Sequence, residues 1–254
     1  MKKCLFIILG CFVMLTGCNS VTNSSEQTVV NKAKSKASYE KSDTVESLLS
    51  NSYSVKGMNA KTVSFDPRTN TYIVVVQTAL LASVLETLKD SDEWNKFASG
   101  FLNLTSSTTE IAQNTDKTIN IKVILMSSDS LPILEVVNKD TEFNFFDAND
   151  SQRIEVLLES YICSNELGVP SISFNKEANT YTANITKEGL GKDFANSSVW
   201  KEYSKNTAKL QPLIENIIHS IDKNSKLIVQ YNDINDGDKL LTVENGNITY
   251  NYNK

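Results

Sequence analysis

The chain has 254 residues, 40% of them hydrophobic and 22% charged, a balance near the globular average and sufficient for one or two buried cores. With 30 acidic against 25 basic side chains the formal charge is −5, which argues against phosphate backbones and anionic lipid heads, so no nucleic-acid partner is expected. The single histidine, His219, works against histidine-based metal centres and Ser-His-Asp chemistry, and no metal or cofactor is expected.

The chain opens on Lys2 and Lys3, passes through an apolar run from Cys4 to Leu15 and reaches Leu15-Thr16-Gly17-Cys18. A charged leader, an apolar stretch shorter than the ~20 residues of a spanning helix and small residues before a cut site make up an export signal. The motif resembles the lipobox of bacterial prolipoproteins. That resemblance implies a diacylglycerol on Cys18, cleavage between Gly17 and Cys18, and a mature protein anchored by lipid on the extracytoplasmic face of the cell membrane. Residues 1–17 are then a signal peptide, whose loss takes the charge to −7, 23 basic against 30 acidic residues. Cys4 and Cys11 leave with it and Cys18 carries lipid, so Cys163 has no disulfide partner and reads as a half-buried helical cysteine, not a nucleophile. Residues 18–41, rich in Ser, Thr, Asn and Lys, read as a lipidated, flexible tether spanning about 25 Å.

The remainder is one unit written twice. Val63-Ser64-Phe65-Asp66 returns as Ile172-Ser173-Phe174-Asn175, and Asn70-Thr71-Tyr72 returns unchanged as Asn179-Thr180-Tyr181, both at an offset of 109. Val45, Glu46, Leu48 and Leu49 map onto Ile154, Glu155, Leu157 and Leu158. Further on, Trp94 and Phe97 map onto Trp200 and Tyr203, and Val136, Asn138, Phe143, Asn144 and Phe145 onto Val243, Asn245, Tyr250, Asn251 and Tyr252. Two domains are expected, at 42–148 and 149–254.

Each copy begins with a short helix, in the first case opened by a capping-box-like Asp43 and Glu46. A hairpin follows, with strands near 62–66 and 71–77 and near 171–175 and 180–186. Next comes a long amphipathic helix with a stripe of Trp94, Phe97, Phe101, Leu104, Thr108 and Ile111, matched by Trp200, Tyr203, Thr207, Leu210, Ile214 and Ile217. Pro212 within the second stripe predicts a kink or break just before it. Alternating apolar runs close each copy, and Asn245-Gly246 is a tight-hairpin signal. The sum is a tandem α+β fold, each copy an antiparallel sheet with helices on one face.

Three features invite chemistry. The loop Asp233 to Asp238 places Asp233, Asn235 and Glu244 at EF-hand-like spacing, but Gly237 and Asp238 break the pattern, and a solvated hairpin loop is the better reading. Gly189-Leu190-Gly191 stands between a strand and a helix, where a phosphate loop would, without the third glycine. Leu80, Ala82 and Val84 stand where the second copy has Gly189, Gly191 and Asp193, while Leu81 and Leu85 match Leu190 and Phe194 as shared core; Leu80 and Val84 form a candidate interaction patch. The leading expectation is a bacterial cell-surface lipoprotein whose two duplicated domains act as a non-enzymatic binding module for an envelope or extracellular protein. A lipid or small-ligand carrier is the alternative, marked by an apolar cavity between sheet and long helix. An envelope hydrolase, which needs polar groups clustered in one cleft, ranks behind it.

Overall fold

In the first copy, helix α1 (Asp43–Tyr53) leads into strands β1 (Met58–Asp66) and β2 (Thr71–Thr78), and helix α2 (Asp92–Gln113) returns the chain to β3 (Asn120–Met126), β4 (Pro132–Val137) and β5 (Asp140–Asn144). The second repeats the order as α3 (Asp150–Ser164), β6 (Val169–Asn175), β7 (Thr180–Thr186), a short α4 (Lys192–Ala195), α5 (Trp200–Ile218), β8 (Lys226–Asn232), β9 (Lys239–Glu244) and β10 (Asn247–Asn251). This computed structural model describes residues 39–81, 87–89 and 91–253. Each copy forms a five-stranded sheet whose spatial order follows the chain, with helices packed on it, the duplicated α+β arrangement expected. One pairing departs from the expected antiparallel meander: β2 with β3, and β7 with β8, run parallel. The cause is the long helix, since the 22 residues of α2 span about 33 Å and carry the chain back to where β2 began.

The repeated Asn-Thr-Tyr sets that parallel register. Asn70 and Asn179 end their hairpin turns at φ 52° and 46°, the left-handed region that asparagine tolerates better than most residues. In that conformation each carbonyl accepts the first amide of the parallel strand, Asn120 N at 2.9 Å and Lys226 N at 2.9 Å. Each side-chain amide donates to the loop after the long helix, Asn70 to Asp116 at 3.0 Å and Asn179 to Asp222 at 2.9 Å. Asp222 also accepts from the Ser225 hydroxyl and the Asn224 amide, and these donors, Ser225 foremost, pull its carboxyl down to about 2.

The helix starts and stripes refine the sequence reading. Ser42, not Asp43, caps α1, accepting from Val45 N, while Asn149 and Gln152 form a full capping box on α3. In α2 the buried positions are Trp94, Phe97, Phe101, Thr105, Thr108, Thr109 and Ala112, and in α5 Trp200, Thr207, Gln211, Ile214 and Ile218 are buried at matching places, with Tyr203 packed beside them. Leu104 and Ile111 therefore yield their expected places to Thr105 and Ala112, and Ile111 is half exposed. The stripe follows the true 3.6-residue period, and at Thr105 it faces α1, whose Tyr53 hydroxyl donates to Thr105 Oγ1 at 3.1 Å.

The break expected at Pro212 is not found, for α5 runs through it. Gly246, at φ 71° in the Asn245-Gly246 turn, lies against this stretch, and a Cβ there would stand 3.3 Å from Pro212 Cγ and 3.6 Å from the Ala208 carbonyl oxygen that the proline leaves without a donor. Gln211, fully buried, braces the same place by donating to Leu227 O at 2.6 Å and accepting from Gly246 N at 2.8 Å.

Helix α3 joins the copies. Ile154, Leu158 and Ile162 face the second core, while Val156, Leu157 and Cys163 face the back of the first sheet, where they meet Ile73, Val75, Ile124 and Met126. Cys163 sits in this shared layer fully buried, where a half-buried position was expected, and its thiol is pushed up by burial and by Glu159.

The turn geometry yields a prediction. Asn70→Ala should lower the denaturation midpoint further than Asn70→Gly, by about 1 kcal/mol, because both lose the amide bonds but only glycine keeps the left-handed conformation without strain. Equal losses would show that the backbone conformation contributes nothing.

Candidate functional site: an acidic cleft between the two copies

On the back of the first sheet, cross-strand pairing aligns Val75, Ile124, Glu135 and Phe143 in one row across β2, β3, β4 and β5. Lys122, two residues before Ile124 on β3, points to the same side. Helix α3 lies over this face and brings Glu155, Val156 and Glu159 down onto it, and between sheet and helix a cleft of about 580 Å³ remains. Asp66, Arg68 and Thr69 of the β1–β2 turn and Val169 to Ile172 of β6 also line it, and Glu142 with Phe143 contributes from β5.

A charged triad occupies part of that wall. Lys122 Nζ donates to both oxygens of Glu159 at 3.0 Å and pairs with Glu135 Oε1 at 3.2 Å. Both carboxylates are largely buried, with Glu135 at 8% and Glu159 at 12% side-chain exposure, so solvent screens them little. Two glutamates share one lysine. Burial alone would lower the Lys122 ammonium, but Glu159 and Glu135 together hold it above its ordinary range. Burial pushes Glu159 up to about 7, with Glu135 adding to the effect and Lys122 opposing it. The second oxygen of Glu135 is buried and accepts no hydrogen bond. At the rim, Asp66 is tied to Arg68 through Nε at 3.0 Å and Nη2 at 3.2 Å.

The residues singled out from the sequence fall elsewhere. Gly17, Cys18 and Val84 lie outside the described residues. Leu80 is not an interaction patch: at 5% exposure it belongs to the first core, and it is Leu81, expected to be core, that is half exposed. The one-residue slip arises because the second copy reaches its buried Leu190 through a turn at Lys187 to Leu190, with Gly189 at φ 75°, whereas Leu80 follows β2 directly and its amide caps on Thr78 Oγ1. His219 is held by the Ser225 carbonyl at 2.9 Å.

The other two motifs meet in one place. Asp233 Oδ2 accepts from the Lys192 amide at 2.8 Å, so a carboxylate of the protein occupies the position a phosphate would take before α4. Gly191 permits that approach, since a Cβ on it would stand 3.2 Å from the same oxygen. In the acidic loop the Lys192 ammonium pairs with Asp236 at 2.6 Å and Asp238 at 2.5 Å, which places a fixed cation among the aspartates. Among the described residues no three His, Cys, Asp or Glu side chains are grouped to hold a metal ion.

Lys122, Glu135 and Glu159 went unremarked in the sequence reading, yet a signal exists. Lys122 and Glu135 each interrupt a run that is otherwise almost wholly apolar, Ile119 to Met126 and Leu131 to Val137, in strands buried on both faces. Comparison of the chain with protein-family models, with curated proteins and with solved structures finds no match.

The triad makes its own test. Replacing Lys122 by Met leaves two buried carboxylates facing one another and should cost about 3 to 5 kcal/mol near neutral pH. The pH dependence should also carry its mark. Glu159 faces Lys122 from β3, Glu135 from β4 and Cys163 on its own helix, and its folded pKa, about 7, lies above the ordinary 4.5. Between those values the folded state holds a proton that the unfolded chain has lost, so stability should fall as pH rises through that window. Denaturation series on the parent and on Glu159→Gln should show this fall in the parent alone, and parallel pH profiles would remove Glu159 as its source.

Proposed function

We propose that this protein is a bacterial cell-surface lipoprotein, anchored through a diacylated Cys18, that works by binding a ligand in the cleft between its two domains. The observation that carries the binding reading is the cleft itself, about 580 Å³ with apolar walls from Ile73, Phe143 and Val156 and a buried carboxylate oxygen awaiting a donor. That volume and mixture are typical of small-molecule sites. The space between each sheet and its long helix is filled by side chains such as Phe97 and Phe101 in one copy and Trp200 and Ile214 in the other, and among the openings between the copies this cleft is the one that holds the buried ionic triad. It favours a small ligand over a broad protein surface. A binding role is further supported by how the reactive groups are engaged: Cys163 is buried, His219 bonds a carbonyl, and Glu159 spends both oxygens on Lys122.

The anchor rests on Leu15-Thr16-Gly17-Cys18 behind its apolar run. Among the described residues no helix is long and apolar enough to cross a membrane. The described chain begins beside the cleft rim, where Tyr39 N donates to Pro67 O at 2.8 Å and Ser42 N to the Tyr72 hydroxyl at 2.7 Å. The expected tether, residues 18–41, lies outside the described residues up to residue 38.

Cys18→Ala should move the expressed protein from the detergent phase to the aqueous phase on phase separation and abolish incorporation of labelled palmitate, because a diacyl anchor supplies the two chains stable attachment needs. A variant that still partitions with the parent would end the lipoprotein reading.

A further inference from the structure

The structure assigns the cleft a ligand class: we propose that it receives an aliphatic ligand bearing a primary ammonium group, which docks on Glu135. This inference rests on the reading of the cleft as a binding site. Its starting point is an unsatisfied acceptor. Glu135 is 6% exposed, its Oε1 faces Lys122, and its Oε2 is buried without a donor, a state that costs free energy until a donor arrives.

The surrounding charge asks for a cation. Five carboxylates line the cleft against two cations, and both cations are already engaged, Arg68 with Asp66 and Lys122 with the triad. Glu142 and Glu155 line the same cleft and enter no salt bridge among the described residues. A single unpartnered oxygen on Glu135 suits the point donors of an ammonium better than the two-pronged fork of a guanidinium, which seeks both oxygens of one carboxylate. Ile73, Phe143 and Val156 supply apolar wall for the methylene chain behind the charge.

Such an ammonium is found on free aliphatic amines and on lysine side chains, and two probes separate them: 1,5-diaminopentane, and a lysine tripeptide blocked at both ends. Pentane-1,5-diol serves as the uncharged control. Titrations of the full-length protein, followed by calorimetry and amide chemical shifts, should show saturable binding of at least one amine with shifts at β4, β5 and α3. Whichever amine binds more tightly identifies the source. Glu135→Gln should weaken that binding by about tenfold in the folded protein. Should Glu135→Gln fail to fold, Glu142→Gln and Glu155→Gln, whose side chains enter no ion pair, should each weaken binding by about threefold. Amine affinity unchanged in these variants overturns the proposal. A diol that binds in the cleft as tightly as the diamine also overturns it, while leaving the cleft a binding site. If none of the probes shifts the cleft, the proposal and the reading beneath it both fall.

Discussion

The architecture depends on one helix serving two cores. An amphipathic helix ordinarily offers a single apolar stripe and turns the other face to water. In α3 there are two stripes, Ile154, Leu158 and Ile162 toward the second sheet and Val156, Leu157 and Cys163 toward the back of the first. The first sheet could not stand without that cover, because Ile73, Val75, Ile124 and Met126 make its back face apolar. The copies are therefore stacked, and the second closes the first.

The same logic explains why the stack ends. At the positions equivalent to Ile73, Val75, Ile124 and Met126 the second copy carries Thr182, Asn184, Gln230 and Asn232. These need no apolar cover, and the Gln230 amide links Asn184 and Asn232 at 2.9 Å each across the sheet. At the other end α1 turns Asp43, Ser47 and Asn51 to solvent. Polar terminal faces of this kind cap repeat proteins against further addition. Apolar contact alone sets no angle between sheet and helix, since it is not directional. Lys122, held between a carboxylate from β4 and one from α3, is a directional contact between that sheet and the helix, and burying such charges costs several kcal/mol per ion.

How much of this was legible depended on whether the information was local. The duplication, the strand spans and the Asn245-Gly246 hairpin follow from spacing and turn chemistry within a few residues. The parallel pairing of β2 with β3 did not, since alternation along a strand is the same in either direction and only the reach of α2 decides between them. The stripe of α2 slipped by one residue at Thr105 and Ala112 because a stripe drawn through the large apolar residues passes over small and polar ones that are buried, such as Thr105 under the Tyr53 hydroxyl. Leu80 was misplaced because a fixed offset was carried through a turn that only the second copy makes. The cleft was least legible of all, for it joins β3, β4 and α3 from segments far apart in the chain.

Comparison of the copies position by position shows that the charges of the cleft belong to the stacked pair. Lys122 corresponds to Ile228, Glu135 to Thr242 and Glu159 to Ser50, so none of the three charges has a charged counterpart in the other copy. Nor does either copy hold the site alone, since two of its charges come from the first and one from the second. A domain that duplicates and then stacks creates a buried surface that its single ancestor lacked, and residues there are released from the constraint of facing water. Most of that surface became apolar and closed. Around Glu135 it became charged and stayed open, although filling it with apolar side chains would have been the cheaper solution for stability alone. An ionic, incompletely satisfied wall between the copies is therefore a feature that folding stability alone does not account for and that the proposed binding role would.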